Sequence, residues 1–364
     1  MTPAPKSLQT GLFVASTIML CAAGAIWVGK SRESAQIAAQ EALEAQNLRH
    51  ASELLRKSYR ADNELSYSAL SRTVAFMGDK SVESSARITR APRHLSIEVV
   101  SGPTKGTQSG YSQRWFWRQS ADGALEPYAE VKHDANQMAA RRFALLAKNY
   151  TPILGGETQL DGRRAQIVEL RPNQLMDGAT GPARRLFIDV QSGLTLRVES
   201  FNCALQPVMN SSLSDVDLKP AITPATFERP AVIAASLKNR NWQGEELGTD
   251  PNAAARETGF VPPRPTFLPP GFELDGYGVH RCNTTGTMQP AAFSRYSDGL
   301  NTLTVFAFKP ANSDIEKTMR GACDFGPGAL RSREDGGGRL VAMGDLPAPI
   351  LERVLQSAQF EMAK

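Results

Sequence analysis

"RRLFIDVQSGLTLRVESF", residues 184–201, decides the fold class. Leu186 and Ile188 alternate toward one face, Gln191-Ser192-Gly193 breaks the run, and Leu194 and Leu196 resume it. A strand, a short turn containing glycine and a returning strand make an antiparallel hairpin. The same pattern recurs upstream. "AQIVELRP" (165–172) reads as a strand, and "NQMAARRFALLAKNY" (136–150) reads as an amphipathic helix. In "RWFWRQ" (114–119) Trp115 and Trp117 stand between two arginines, ahead of the turn Ala121-Asp122-Gly123. "HLSIEVV" (94–100) sets Leu95, Ile97 and Val99 on one face, and "YSALSRTVAFM" (67–77) alternates through Leu70, Val74 and Phe76. Strands this crowded, with helices only at intervals, predict an α+β protein built on one large curved antiparallel sheet.

The patterning predicts a chemistry for that sheet. Leu95, Ile97, Val99, Trp115, Trp117, Leu186, Ile188, Leu194 and Leu196 are expected on one face. A concave face of this kind is filled by helices or leaves an apolar cavity for a ligand. The candidate ligand-binding residues are therefore Val74, Phe76, Leu95, Ile97, Val99, Trp115, Trp117, Leu186 and Ile188, with plain core as the competing reading.

Around the sheet the 364-residue chain divides into five parts. Residues 1–30 read as a membrane anchor or signal segment, because "GLFVASTIMLCAAGAIWVG" (11–29) is free of charge and about 20 apolar residues span a bilayer. Residues 31–60, without Pro or Gly, read as a helical stalk leading into the first domain. Its apolar positions become dense only in the second half. The sheet domain is expected over 61–228, a proline-ended linker over 229–265, and a small α+β domain over 266–364. In that last domain "YSDGLNTLTVF" (296–306) couples the turn pair Asp298-Gly299 to a run expected to be half-buried β. "PAPILERVLQSAQFEM" (347–362) reads as a helix docking on the small sheet.

Several functions are disfavoured. A net charge of +4 is far short of a nucleic-acid footprint, and no nucleic-acid partner is expected. The four histidines (His50, His94, His133, His280) lack partners at metal-ligand spacing. "GTQSG" (106–110) places its serine wrongly for a nucleophile elbow, and neither a P-loop nor a G-x-G-x-x-G run occurs. No enzyme activity, cofactor or metal is expected. Cys282 and Cys323 read two ways: as small buried hydrophobes, or in an exported domain as a bridge closing a loop of about 40 residues, worth roughly 4 kcal/mol. Arginines concentrate in the first domain, at 87, 90, 93, 114, 118, 141, 142, 163, 164, 184 and 185. That reads as a solvated outer face or as a surface for an acidic partner.

Several stretches together carry a family resemblance. "ASELLRKSYRADNELSYSALSRTVAF" (51–76), "NYTPILGGETQLDGRRAQIVELRP" (149–172) and the Asp189-x-x-Ser192-Gly193-Leu194 turn resemble the RseB/MucB regulators of the sigma-E envelope-stress response. The N-terminal domain of that family is similar to the lipoprotein carriers LolA and LolB. "LPPGF" (268–272), the Ser-Asp-Gly-Leu turn at 297–300 and "GGGRLVAMGDLPAPILERVLQS" (336–357) resemble its C-terminal domain. The resemblance implies a half-open antiparallel β-barrel covered by helices, a linker and a small α+β domain. These would sit in the cell envelope, on the periplasmic or extracytoplasmic side, anchored in the inner membrane by the N-terminal helix. It implies a non-enzymatic regulator that binds the extracytoplasmic segment of a membrane anti-sigma factor and senses a lipid or lipoprotein acyl chain in the barrel. A lipid or lipoprotein carrier of the LolA type and a structural cell-envelope protein are the alternatives.

Overall fold

The computed structural model describes residues 37–363 apart from 78–79, 113–114, 122, 124, 131–134, 175–182, 202–205, 229–243, 284–287 and 310–328. The expected anchor over 1–30 lies outside the described residues, and so does Cys323 with its expected pairing to Cys282. Among the described residues no helix is long and apolar enough to cross a membrane.

Residues 37–64 are helical (α1). They are exposed along 37–50, while Leu54, Leu55 and Ala61 are buried. Eleven strands follow in one antiparallel sheet: β1 (Tyr67–Met77), β2 (Lys80–Ala91), β3 (His94–Ser101), β4 (Gln108–Ser112), β5 (Trp115–Gln119), β6 (Leu125–Glu130), β7 (Tyr150–Leu160), β8 (Arg163–Pro172), β9 (Arg184–Asp189), β10 (Thr195–Phe201) and β11 (Pro207–Asp217). Their order is β6-β5-β4-β3-β2-β1-β11-β10-β9-β8-β7, so the first and last strands are neighbours at the centre. From that pair two meanders run outward, each strand antiparallel to the next in sequence. The two outer strands, β6 and β7, are joined in sequence by α2 (Ala135–Asn149). The ladder does not pair β6 with β7, so the sheet is open and not a closed barrel.

The turn that announces the fold is built from its own side chains. Asp189 is buried, and its Oδ1 accepts the backbone N–H groups of Gln191 (2.7 Å) and Ser192 (3.2 Å), while Oδ2 receives Arg163 Nη1 at 3.0 Å. Gly193 takes φ 84°, and a Cβ there would stand 2.7 Å from Lys57 Cγ. Lys57 Nζ donates to the carbonyls of Val190 (2.7 Å) and Gln191 (2.9 Å), which seats α1 on the turn.

A second antiparallel sheet of six strands comprises β12 (Gly244–Gly248), β13 (Glu273–Asn283), β14 (Met288–Ser297), β15 (Thr302–Phe308), β16 (Ala329–Asp335) and β17 (Gly338–Gly344), in the order β12-β13-β14-β15-β17-β16. The end of the expected linker is part of it. β12 pairs with β13, α3 (Pro251–Thr258) begins at an Asp250 cap that accepts Asn252 N–H at 2.9 Å, and Pro262, Pro263 and Pro265 are buried. β12 reads Gly-Glu-Glu-Leu-Gly and has no apolar alternation to betray it. β15 is also more buried than its alternation suggests. Leu303 and Val305 pack with α4 (Ala348–Ser357) through Leu351, Val354 and Leu355, while Phe306 and Phe308 pack on the other side with Phe293 and Val341. The helix ends at Ser357, short of the expected 362.

Burial raises the Asp189 carboxyl, but the Ser192 N–H, Arg163 and the Gln191 N–H outweigh it, so its pKa is held below the usual carboxylate range. A depressed folded pKa contributes stability above the unfolded value near 4, and that contribution is lost as pH falls through the folded value. Asp189→Ala should therefore cost about 2–3 kcal/mol in urea unfolding at pH 7, with the gap to the natural protein narrowing below about pH 4.

Candidate functional site

Following the register across the first sheet separates two faces. α1 marks one of them: Ser58 Oγ and Thr195 Oγ1 share a hydrogen bond of 2.5 Å, and Thr195 pairs with Ile188. From Leu186 the same face runs through Val198, Ser211 and Thr73 to Ser84. On the next strand pairs it carries Ala86 with Val99, Ile88 with Ile97, and Arg90 with Leu95. The centre of this helix-side face carries small side chains on two strands, Ala69, Ser71, Thr73 and Ala75 on β1 with Ser84 and Ala86 on β2, while on β11 Ser211 stands between Met209, opposite Ala75, and Leu213, opposite Ser71. Thr73 and Ser211 hydroxyls join across it at 3.0 Å. Leu95, Ile97 and Val99 rise on one side and Leu186 and Ile188 on the other.

Short side chains on β1 and β2 thus form a floor between apolar walls on β3 and on β9 and β11. The walls are not uniform. Leu95, Ile97, Val99 and Leu186 are half-buried, whereas Ile188 is fully buried on the side where α1 sits. At one end Arg90 lies between Asp62 and Tyr67. Burial raises both of their pKa values, and Arg90 opposes the rise. Among the described residues no group of His, Cys, Asp and Glu could hold a metal ion.

The other face is charged. Arg72 pairs with Glu83 at 2.6 Å and Arg87 with Glu98 at 3.6 Å. Across β8, β9 and β10 a ladder runs Arg171–Glu169–Arg185–Glu199–Arg197 at 2.9, 2.8, 3.8 and 2.6 Å. The arginine concentration is largely accounted for inside the molecule. Arg163 pairs with Asp189, Arg164 with Glu157 and Arg142 with Asp275, while Arg184 donates to the Leu300 carbonyl.

Several residues expected on the apolar face stand on this charged one. Val74 pairs with Glu83 and Phe76 with Ser81, in line with Arg72. Leu95 pairs with Tyr111, whereas Trp117 pairs with Gly110, so Trp117 and Leu95 point to opposite faces. Trp115 holds the register position opposite Ser112, two residues from Trp117 along the strand. The cause is general. Apolar residues occupy both faces here, and alternation alone cannot say which set turns inward, because a one-residue slip exchanges them.

Sequence reasoning missed the floor. β2 (KSVESSARITRA) and β11 (PVMNSSLSDVD) are serine-rich and carry no sustained apolar alternation. The available signal was an alternation of small residues, Ser84, Ala86 and then Ile88, ending at the tight turn of Pro92 and Arg93.

Trp117 is 5% exposed, and its indole lies against Gly110, where a Cβ would come within 2.5 Å of Nε1. It is packed core on the charged face. Trp117→Ala should cost about 3–5 kcal/mol in denaturant unfolding, as truncations of buried tryptophan do. Spectroscopic changes at Trp117 should not accompany filling of the opposite face.

A family model for the MucB/RseB N-terminal domain matches residues 50–231. The complex structure of Pseudomonas aeruginosa MucA/MucB is 19% identical, covering 86% of this chain and 100% of that one, with TM-score 0.56. MucB in complex with MucA(peri) is 21% identical over 86% of this chain and 100% of that one, with TM-score 0.52. At these identities the likeness is one of fold. No curated protein matches by sequence. The family match spans half of the chain and contains the whole of the first sheet, and the chain belongs to the MucB/RseB family.

Proposed function

We propose that this protein is a non-enzymatic regulator of the cell envelope. It binds the extracytoplasmic segment of a membrane anti-sigma factor and lets go when an acyl chain enters the helix-side face. The supporting observation is its family, together with a fold shared with MucB in complex with MucA. The acyl-chain reading draws on the small Ala, Ser and Thr side chains of β1 and β2 beside Leu95, Ile97 and Val99, with Leu213, Val198 and Leu186 farther along the same face. The apolar segment 11–29 is the proposed inner-membrane anchor, leaving both sheets on the periplasmic side.

Release by a ligand requires differential affinity. To turn a mostly bound population into a mostly free one, the acyl chain must favour the free form by roughly 10⁴-fold. A ligand held equally well in both forms would shift nothing.

The partner reading is tested by capture. Residues 31–364, immobilised, should retain the extracytoplasmic segment of the anti-sigma factor encoded beside its sigma factor, and a saturating acylated lipid should elute it. No retention at moderate salt would remove the anti-sigma reading. Retention without elution would remove the sensing step alone.

The apolar face is tested by filling it. Ala86 sits between Ser71 and Val99 in the register, and Ala86→Leu adds bulk to the floor. The expected cost in stability is under about 3 kcal/mol. Affinity for a fluorescent fatty-acyl probe should fall about tenfold or more, and unchanged affinity would place the acyl site elsewhere.

A further inference from the structure

Two glycines of the second sheet's loops, both in left-handed backbone, close on the same end of α2. Gly299 has φ 95°, and a Cβ there would collide with the Leu146 backbone nitrogen and stand 2.7 Å from the Arg142 carbonyl oxygen. Gly271 has φ 82°, and a Cβ there would stand 2.8 Å from the Asn149 side chain. Only glycine combines that backbone with so close an approach.

Polar contacts knit the junction around them. Asp298 Oδ1 accepts the backbone N–H groups of Leu300 (2.8 Å) and Asn301 (2.6 Å), which fixes the loop. Its Oδ2 accepts Tyr150 Oη at 2.7 Å and Asn301 Nδ2 at 3.0 Å, and Asn301 Nδ2 also donates to Tyr150 Oη at 3.0 Å. Asn149 Nδ2 donates to the carbonyls of Gly271 and Asp298, both at 2.9 Å. Arg184 Nη2 reaches the Leu300 carbonyl at 3.1 Å. Lys148 pairs with Glu273 at 2.6 Å, and Arg142 with buried Asp275 at 3.4 Å. Tyr150 and Asp298 are both buried, so these bonds form away from water.

The position of α2 gives the junction its meaning. That helix is the covalent link between β6 and β7, the two outer strands of the open first sheet. It leans on α1 through Phe143 and Tyr59, ring centroids 4.7 Å apart, and leads directly into Tyr150. Arg184 belongs to the same face as Leu186, two residues along β9.

We propose that the Ser297–Asn301 and Gly271 loops form a latch by which the second sheet holds the C-terminal end of α2, so that the state of the first sheet's apolar face and the seating of the second sheet are mechanically coupled. An occupant that displaces α2 must strain or break the latch. A partner bound across both sheets would keep it shut. The latch rests on the fold and not on the identity of any partner or ligand.

Amide exchange of α2 in the full chain with and without the latch tests this. Gly299→Ala drives a methyl into the helix backbone. Gly337→Ala is the matched control: Gly337 has φ 85° in the same sheet, and a Cβ there would meet nothing within 4 Å. Both variants carry the backbone strain of alanine at positive φ, but only one touches α2. Exchange across residues 140–149 should quicken at least tenfold in Gly299→Ala and stay within about twofold in Gly337→Ala. Tyr150→Phe keeps the ring and removes only the hydroxyl bonds to Asp298 and Asn301. It should quicken the same amides several-fold while β15 remains protected, and it decides the matter should Gly299→Ala fail to fold. Unchanged exchange in Tyr150→Phe, or equal quickening in Gly299→Ala and Gly337→Ala, overturns the latch. Because exchange reads the helix alone, neither result depends on whether an acyl chain or an anti-sigma segment binds.

Discussion

The pairing of β1 with β11 is the constraint on which the first sheet depends. Ser71 meets Leu213 and Thr73 meets Ser211, so strands more than 130 residues apart in sequence lie side by side. Such a contact carries a large loop-closure entropy, which each tight hairpin of the two meanders reduces by bringing its strands together locally. Once β1 and β11 meet, every other strand lies beside its neighbour in sequence, and only the outer strands β6 and β7 are bridged by a helix. On the helix side of that meeting β1 offers the small Ser71, Thr73 and Ala75, and β11 sets Leu213, Ser211 and Met209 against them.

Charge and apolar surface are divided by that geometry. The ion-pair ladder from Arg171 to Arg197 occupies the face opposite the helix side, with its members partly exposed. Its carboxylates are the more buried partners, and the same face also holds buried Trp117 and Phe187. The faces of the second sheet are different: both are apolar, one packed on α4 and the other built from Phe293, Phe306 and Phe308. α2 is held from three directions, by α1, by its continuation into β7, and by the loops at Gly271 and Gly299.

Much of this was legible from residues alone. The Asp189 turn announced an antiparallel hairpin because aspartate, serine and glycine supply their own hydrogen bonds and backbone freedom at close range. The 136–150 helix, the 67–77 strand and the 302–308 strand were readable for the same reason, since period and turn chemistry are local. β2, β11 and β12 were not, because Ser-rich or Gly-Glu strands become strands through their neighbours and not through their own preference.

Local chemistry thus determined the fold class, the turns and the family signature. Tertiary structure decided which face each apolar residue joins. Trp117 and Leu95 belong to equally apolar strands, and only the register across β3, β4 and β5 parts them. It also decided what Asp298 and Gly299 do. In sequence they make a hairpin turn and nothing more. In the molecule their loop meets a helix end about 150 residues upstream, where a carboxylate finds Tyr150 and the missing Cβ leaves room for a backbone. Partners so distant along the chain leave no local pattern, because the contact exists only after both sheets have formed.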